Sequence, residues 1–205
     1  MIAPLAEVLE ESRRLGFLGP GPIEAHIRHA AAFATALDHP PALGLDLGAG
    51  GGLPGLVLAA TTWPATRWVF VDAQHKRTAF LVEAVDELGL AEQVTVVTER
   101  AELLGRDPDH RARYDLVTAR SFGPTAVVAE CAAPLLRTGG WLVVSDPPDG
   151  DLATRWPVDG LALVGLGPAE VVGVDDVHLA RMQLTGAAPD RYPRRVGIPA
   201  KRPLF

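Results

Sequence analysis

Apolar residues follow two rhythms along this chain. Near the N-terminus they recur at helical spacing. Leu5, Val8, Leu9 and Leu15 predict a first helix that stops near Gly16. Pro22 opens a second, whose apolar side carries Ile23, Ile27, Ala30, Phe33 and Leu37 before Pro40-Pro41 ends it. Beyond that point short apolar runs alternate with longer helical stretches. Strands are predicted at 43–47, 68–71, 94–97, 116–119 and 141–144. Helices are predicted at 53–61, 76–88 and 125–136, with a short turn at 101–104. Strands that are apolar throughout, and alternate with helices, belong to a parallel sheet covered on both faces. After Asp146 the chain is rich in Pro and Gly, and then the runs 170–174 and 178–184 predict an antiparallel hairpin. The expected fold class is therefore α/β: a mostly parallel seven-stranded sheet, helices on both faces, and a C-terminal antiparallel hairpin. Residues 1–40 are expected to be helices packing on a core formed by 41–205, as one compact domain.

Composition narrows the class. The 205 residues are 48% hydrophobic and 21% charged, which suits one globular domain with a real core. No apolar run is long enough to cross a bilayer, and the N-terminus lacks a basic segment followed by an apolar one. No membrane partner and a cytoplasmic location are the expectation, and a monomer is assumed. Cys131 is the single cysteine, lies in an apolar helical stretch and reads as core. The six histidines are scattered, so no metal-ligand set is predicted. The net charge of −6 hides an asymmetry. Arg181, Arg191, Arg194, Arg195, Lys201 and Arg202 face Asp190 alone in the last 25 residues. An acidic body is a poor general binder of polyanions, while a basic tail can touch phosphate locally.

The chemistry starts at Asp46-Leu47-Gly48-Ala49-Gly50-Gly51-Gly52-Leu53-Pro54-Gly55, which follows the first core strand and opens a helix. Glycines permit sharp turns and close ligand approach, and a helix N-terminus offers free N–H groups. A nucleoside-triphosphate loop would need a Gly-Lys-Ser/Thr end, and there is no lysine here. A dinucleotide loop is closer, because Gly50, Gly52 and Gly55 match G-x-G-x-x-G. Asp46, two residues before Gly48-x-Gly50-x-Gly52, tips the choice to S-adenosylmethionine. A carboxylate there suits the ammonium of that cofactor and would repel a pyrophosphate. The second strand ends at Asp72, 24 residues after Gly48, where an acid can accept hydrogen bonds from ribose hydroxyls. The turn after the third strand, with Ala101 and Glu102, would border an adenine. The expected cofactor contacts are Asp46, Gly48, Ala49, Gly50, Gly52, Leu53, Asp72, Ala101, Glu102 and Arg120.

With these motifs in place the chain resembles the bacterial small-subunit ribosomal RNA guanine-N7 methyltransferases, also called glucose-inhibited division protein B. The resemblance runs through most of residues 24–205. It is carried by Asp46 to Leu56, with the unusual Leu53-Pro54-Gly55, and by Asp72-Ala-Gln-His-Lys76-Arg77-Thr-Ala-Phe80-Leu81. Thr98 to Glu102, Ala119-Arg120-Ser-Phe122 and the tail Tyr192 to Pro203 also match. The resemblance implies a Rossmann-like class I methyltransferase acting on ribosomal RNA, with the basic C-terminal tail as a further RNA contact. Guanine N7 has an in-plane lone pair and no proton, so transfer needs positioning and charge more than a general base. Arg100 and Arg120 match basic positions that hold substrate in the family, and Arg28-His29 matches an Arg-His pair. Arg120, Arg100 and His29 are thus the expected substrate-positioning residues.

The departures from the family pattern cluster on the substrate side. An aspartate after the Arg-His pair is Ala32 here, a lysine after the fifth strand is replaced by Ser145-Asp146-Pro147, and a basic residue before His178 is Val177. Asp146 is expected to repel phosphate at the cleft entry. Asp146-Pro147-Pro148-Asp149 follows the wrong strand for an amino-group methylation motif and reads as a loop. Two alternatives stand beside RNA methylation: a paralogue that methylates a small molecule, and a cofactor-binding protein with reduced or lost catalysis.

Overall fold

The computed structural model describes residues 2–148 and 151–205. Asp149, the last residue of the Asp-Pro-Pro-Asp segment, lies outside the described residues. Helices α1 (Ile2–Arg14) and α2 (Ile23–Ala31) come first, the second running into a 3-10 turn at Ala32–Ala36. Five strands then form a parallel array: β1 (Leu43–Leu47), β2 (Arg67–Asp72), β3 (Val94–Thr98), β4 (Tyr114–Ala119) and β5 (Leu136–Ser145). The hairpin β6 (Glu170–Val174) and β7 (Val177–Gln183) joins through β7, antiparallel to β5. The sheet order is β3-β2-β1-β4-β5-β7-β6, the arrangement expected from the apolar pattern.

Side chains alternate across each strand, and this splits the core in two. Trp68 and Phe70 of β2, Leu116 of β4 and Val143 of β5 pack with Leu5, Leu9, Phe33, Leu56 and Leu81. Leu45 and Leu47 of β1, Val117 of β4, and Leu142 and Val144 of β5 pack with Ala129, Leu135, Trp156, Leu161 and Tyr192. The first cluster lies under α1, α2, α3 (Gly55–Val57) and α4 (His75–Glu87). The second lies under α5 (Ala101–Leu104), α6 (Thr125–Ala132), α8 (Val158–Ala162) and the C-terminal segment. None of the helices among the described residues is long and apolar enough to cross a membrane.

Several boundaries differ from the sequence expectation. The helix after the glycine loop starts at Gly55 rather than at residue 53, and ends in a π-helical turn at Leu58–Thr62. The helix expected to reach residue 136 stops at Ala132, because Pro134 lacks an N–H and sits in a 3-10 turn. β5 therefore begins at Leu136 and is ten residues long. Short helices α7 (Leu152–Arg155), α8 and α9 (Ile198–Lys201) have no counterpart in the pattern. Four or five residues cannot show a helical period; α7 is started by the Asp151 carboxylate, which accepts the Thr154 N–H at 3.2 Å.

Candidate active site

The site forms where the parallel strands end and their loops begin, the usual ligand edge of such sheets. The glycine loop is fixed by backbone bonds: Ala49 N–H donates to Val71 O at 2.8 Å and Gly52 N–H to Ala49 O at 2.7 Å. Gly48 has φ +71, and a Cβ there would lie 2.5 Å from the Phe122 ring. From the N-terminal side, the Ser12 hydroxyl of α1 donates to Gly51 O at 2.9 Å.

Three adjoining cavities share this edge. The first, about 300 Å³, is lined by Gly48, Asp72, Arg100, Ala101, Glu102 and Phe122, among others. The second, about 170 Å³, lies over the glycine loop between Leu18, Ala49, Gly50, Leu53, Arg77 and Arg120. The third, about 220 Å³, is bordered by His26, Arg28, His29, Arg120, Asp176 and Val177. Gly48, Arg77 and Ser121 line both the first and the second, and Arg120 both the second and the third. The three form one route, with Arg120 at the passage to the last.

The expected cofactor residues divide along this route. Asp72, Gly48, Ala101 and Glu102 line the first cavity; Gly48, Ala49, Gly50, Leu53 and Arg120 line the second. Asp72 Oδ2 accepts the Gly50 N–H at 3.1 Å, Oδ1 accepts the Gln74 N–H at 2.9 Å, and Arg77 approaches Oδ2 at 3.5 Å. Asp46 and Gly52 line none of the three cavities. Asp46 is 0% exposed; it accepts the Gly55 N–H at 2.9 Å and the Thr118 hydroxyl at 3.0 Å. Its carboxylate thus faces the helix start and β4, behind the loop. Burial pushes its pKa up to about 7, against the pull of Gly55, Thr118 and Arg120. Glu102 accepts the Gly197 N–H at 2.9 Å and Arg100 Nη2 at 3.3 Å. Burial alone would raise its pKa, but these bonds hold it below the usual carboxylate range.

The expected substrate residues also separate. Arg100 is on the first cavity beside Glu102, whereas Arg120 and His29 meet at the third. His29 Nε2 is 3.2 Å from the Ser145 hydroxyl, and its pKa falls to about 4. Burial is the main cause, followed by Arg120 and His26. Arg120 Nη2 donates to His26 Nδ1 at 3.0 Å, and burial lowers the arginine's pKa against the pull of Asp46.

One expectation needs correction. Asp146 is not a free acid at the entry. Its Oδ1 accepts from Arg155 Nε at 3.0 Å and from Trp156 Nε1 at 3.2 Å, with Arg155 Nη2 at 2.8 Å, so its charge is neutralised internally. Cys131 is core, as expected, and it also lines the first cavity. Burial drives its thiol pKa far up, so it is an apolar wall and not a nucleophile.

Other site residues had weak or no signal in the sequence. His26 lies one helical turn before His29, a spacing that places both on one face. Ala200, near the C-terminus, lines the first cavity. The basic tail is largely tied down. Arg194 grips Glu130 with bonds of 2.6 and 2.8 Å, and Arg111 donates to Ala188 O at 2.9 Å and Tyr192 O at 2.8 Å. Arg191, Arg195, Lys201 and Arg202 remain exposed.

The cavities fit S-adenosylmethionine on a test independent of any motif. Arg77 Nε and Arg120 Nη1 are buried without partners among the described residues, and both side chains line the second cavity. Buried donors without acceptors call for an anionic group, and the cofactor's carboxylate is one. The adjoining first cavity offers the Asp72 carboxylate for hydroxyls and the apolar Phe122, Val127 and Cys131 for a flat ring.

Fold and loop together define a Rossmann-like, S-adenosylmethionine-dependent methyltransferase. Residues 22–145 match the family described as rRNA small subunit methyltransferase G (GidB), and the chain belongs to that family. The Ribosomal RNA small subunit methyltransferase G of Roseiflexus castenholzii is 37% identical over 188 residues, covering 89% of this chain and 80% of its own. That of Prochlorococcus marinus is 39% identical over 166 residues, 78% and 67% of the two chains. Among solved structures, cofactor-bound Rv0187 from MTB superposes with a TM-score of 0.63 at 20% identity, over 89% of this chain and 90% of that one. A SAM-dependent O-methyltransferase of Thermotoga maritima reaches 0.61 at 12% identity, over 89% and 72%. At such identities the likeness is one of fold.

Proposed function

We propose that this protein transfers a methyl group from S-adenosylmethionine to guanine N7 of small-subunit ribosomal RNA. The observation that carries this reading is Arg120, a partly buried cation at the passage between the loop cavity and the outer cleft. When bound, the cofactor supplies an electrophilic methyl on a sulfonium. Asp72 and the backbone of Gly48 and the neighbouring loop would hold it, Ala101 and Glu102 would border its adenine, and Arg77 and Arg120 would face its carboxylate. Asp46 acts from behind the loop, as a buried charge that favours the ammonium. Arg120 and Arg28 border the outer cleft and offer donors to the base and to phosphate. His29, kept neutral by burial, shapes the wall and takes no proton, since guanine N7 has none to give. Arg100 sits at the adenine end and serves the cofactor more than the acceptor. Residues 41–205 carry the cofactor loop, and the segment 1–40 closes its loop side and borders the outer cleft. Exposed Arg195, Lys201 and Arg202 add local phosphate contacts.

The test is methylation of small-subunit RNA isolated from a strain lacking this gene. Nucleoside mass spectrometry should find new 7-methylguanosine at one position. RNA that gains no methyl group, under conditions where the protein binds cofactor, would overturn the reading. A specific observation favours a second one, methylation of a small molecule. Val177 and Asp176 border the cleft where the family resemblance calls for a cation. Methyl transfer to a metabolite fraction, with RNA inert, is its signature.

A further inference from the structure

Arg120 does not stand alone at the passage. Its Nη2 donates to His26 Nδ1 at 3.0 Å, and His26 Nε2 lies 3.2 Å from Gly19 O. Guanidinium groups only donate and carbonyls only accept. Both contacts are therefore satisfied by one form of the ring, neutral and protonated on Nε2. The relay ties three segments together: the loop after β4, helix α2, and the α1–α2 connection whose Phe17, Leu18 and Gly19 wall the loop cavity. Arg120 Nη1, in contrast, is buried with no partner among the described residues. One arm of the fork is anchored and the other is buried without an acceptor.

We propose that His26 is a positioning residue for methyl transfer: its Nδ1 anchors Arg120 and so fixes the guanidinium between the cofactor loop and the outer cleft. The proposal rests on the reading of the outer cleft as the acceptor's entry. A long arginine held by no acceptor samples many rotamers, and misplacement by an ångström costs rate more than affinity. His26 itself need touch neither cofactor nor base. Residue type matters here only through the acceptor at Nδ1, and asparagine can place an oxygen at that point.

The experiment compares wild type, H26A and H26N for cofactor affinity and for single-turnover methylation of unmethylated small-subunit RNA. In H26A the rate should fall by about tenfold or more, and cofactor affinity by much less. H26N should recover most of the rate, because its side-chain oxygen accepts from Arg120. Long-range nitrogen-15 NMR of the wild-type ring should show a protonated Nε2 and a bare Nδ1. Wild-type rate in H26A overturns the proposal. So does an H26N that binds cofactor but is no faster than H26A, or a ring protonated on Nδ1. If H26A fails to fold, H26N and the ring spectrum decide alone. Wild-type protein that methylates no RNA overturns the assigned function, and the proposal with it; the other failures leave that function standing.

Discussion

Asp72 Oδ2 accepts the N–H of Gly50 at 3.1 Å, so the end of β2 and the glycine loop form one hydrogen-bonded unit. The same carboxylate lines the first cavity and caps Gln74. D72A should therefore weaken cofactor binding by about 1–3 kcal/mol, the scale of charged hydrogen bonds lost, and lower the melting temperature of the free protein as well. Calorimetry and a thermal melt read the two effects. Unchanged cofactor affinity in a folded D72A would remove Asp72 from the site.

Glu130 is 0% exposed and takes the N–H, Nε and Nη2 of Arg194. R194A leaves that charge buried and unpaired, which should cost about 3–5 kcal/mol of stability. E130Q keeps an acceptor and removes the charge, so it should cost less. Because Gly197 on the same segment donates to Glu102 and Ala200 lines the first cavity, R194A should also bind cofactor more weakly. Denaturant unfolding of the two variants tests the order. An R194A as stable as wild type would return the tail to solvent.

The fold was legible because parallel strands are buried on both faces. Runs such as Trp68 to Val71 need no alternation to be recognised, and the glycine loop announces its own turn. What was illegible had two causes. Helices of four or five residues, such as α7 and α9, show no period. Side-chain direction is invisible in residue type: Asp46 turns onto Gly55 and Thr118, and Asp146 onto Arg155. The pairs that settle the site's edge are far apart in the chain, Arg194 with Glu130 across 64 residues and Arg120 with His26 across 94. One sequence contains no sign of such pairings.

Asp146 illustrates a consequence. D146K would place a second cation beside Arg155 and leave Trp156 Nε1 without its acceptor. The substitution should destabilise the protein by about 1–3 kcal/mol and leave RNA affinity unchanged. Filter binding against salt, alongside a melt, measures both. A D146K that folds normally and binds RNA more tightly would show that the carboxylate faces the entry after all.

Asp46 makes stability depend on pH with an unusual sign. Burial raises its pKa to about 7, whereas an aspartate in the unfolded chain titrates near ~4. A carboxylate that is harder to ionise when folded favours the folded state only while protonated. That contribution is complete below pH ~4, and is lost as pH rises through about 7. D46N cannot ionise, so it lacks this slope. Its melting temperature relative to wild type should climb between those limits and then run parallel above them. Cofactor binding adds an opposite trend. The ammonium of S-adenosylmethionine favours the charged carboxylate, so wild-type affinity should strengthen as pH rises through the same window, while D46N binds more weakly and without that dependence. Melts and calorimetry across pH, on both proteins, check the two trends together. Identical pH slopes in wild type and D46N would mean that the buried carboxylate keeps its charge throughout.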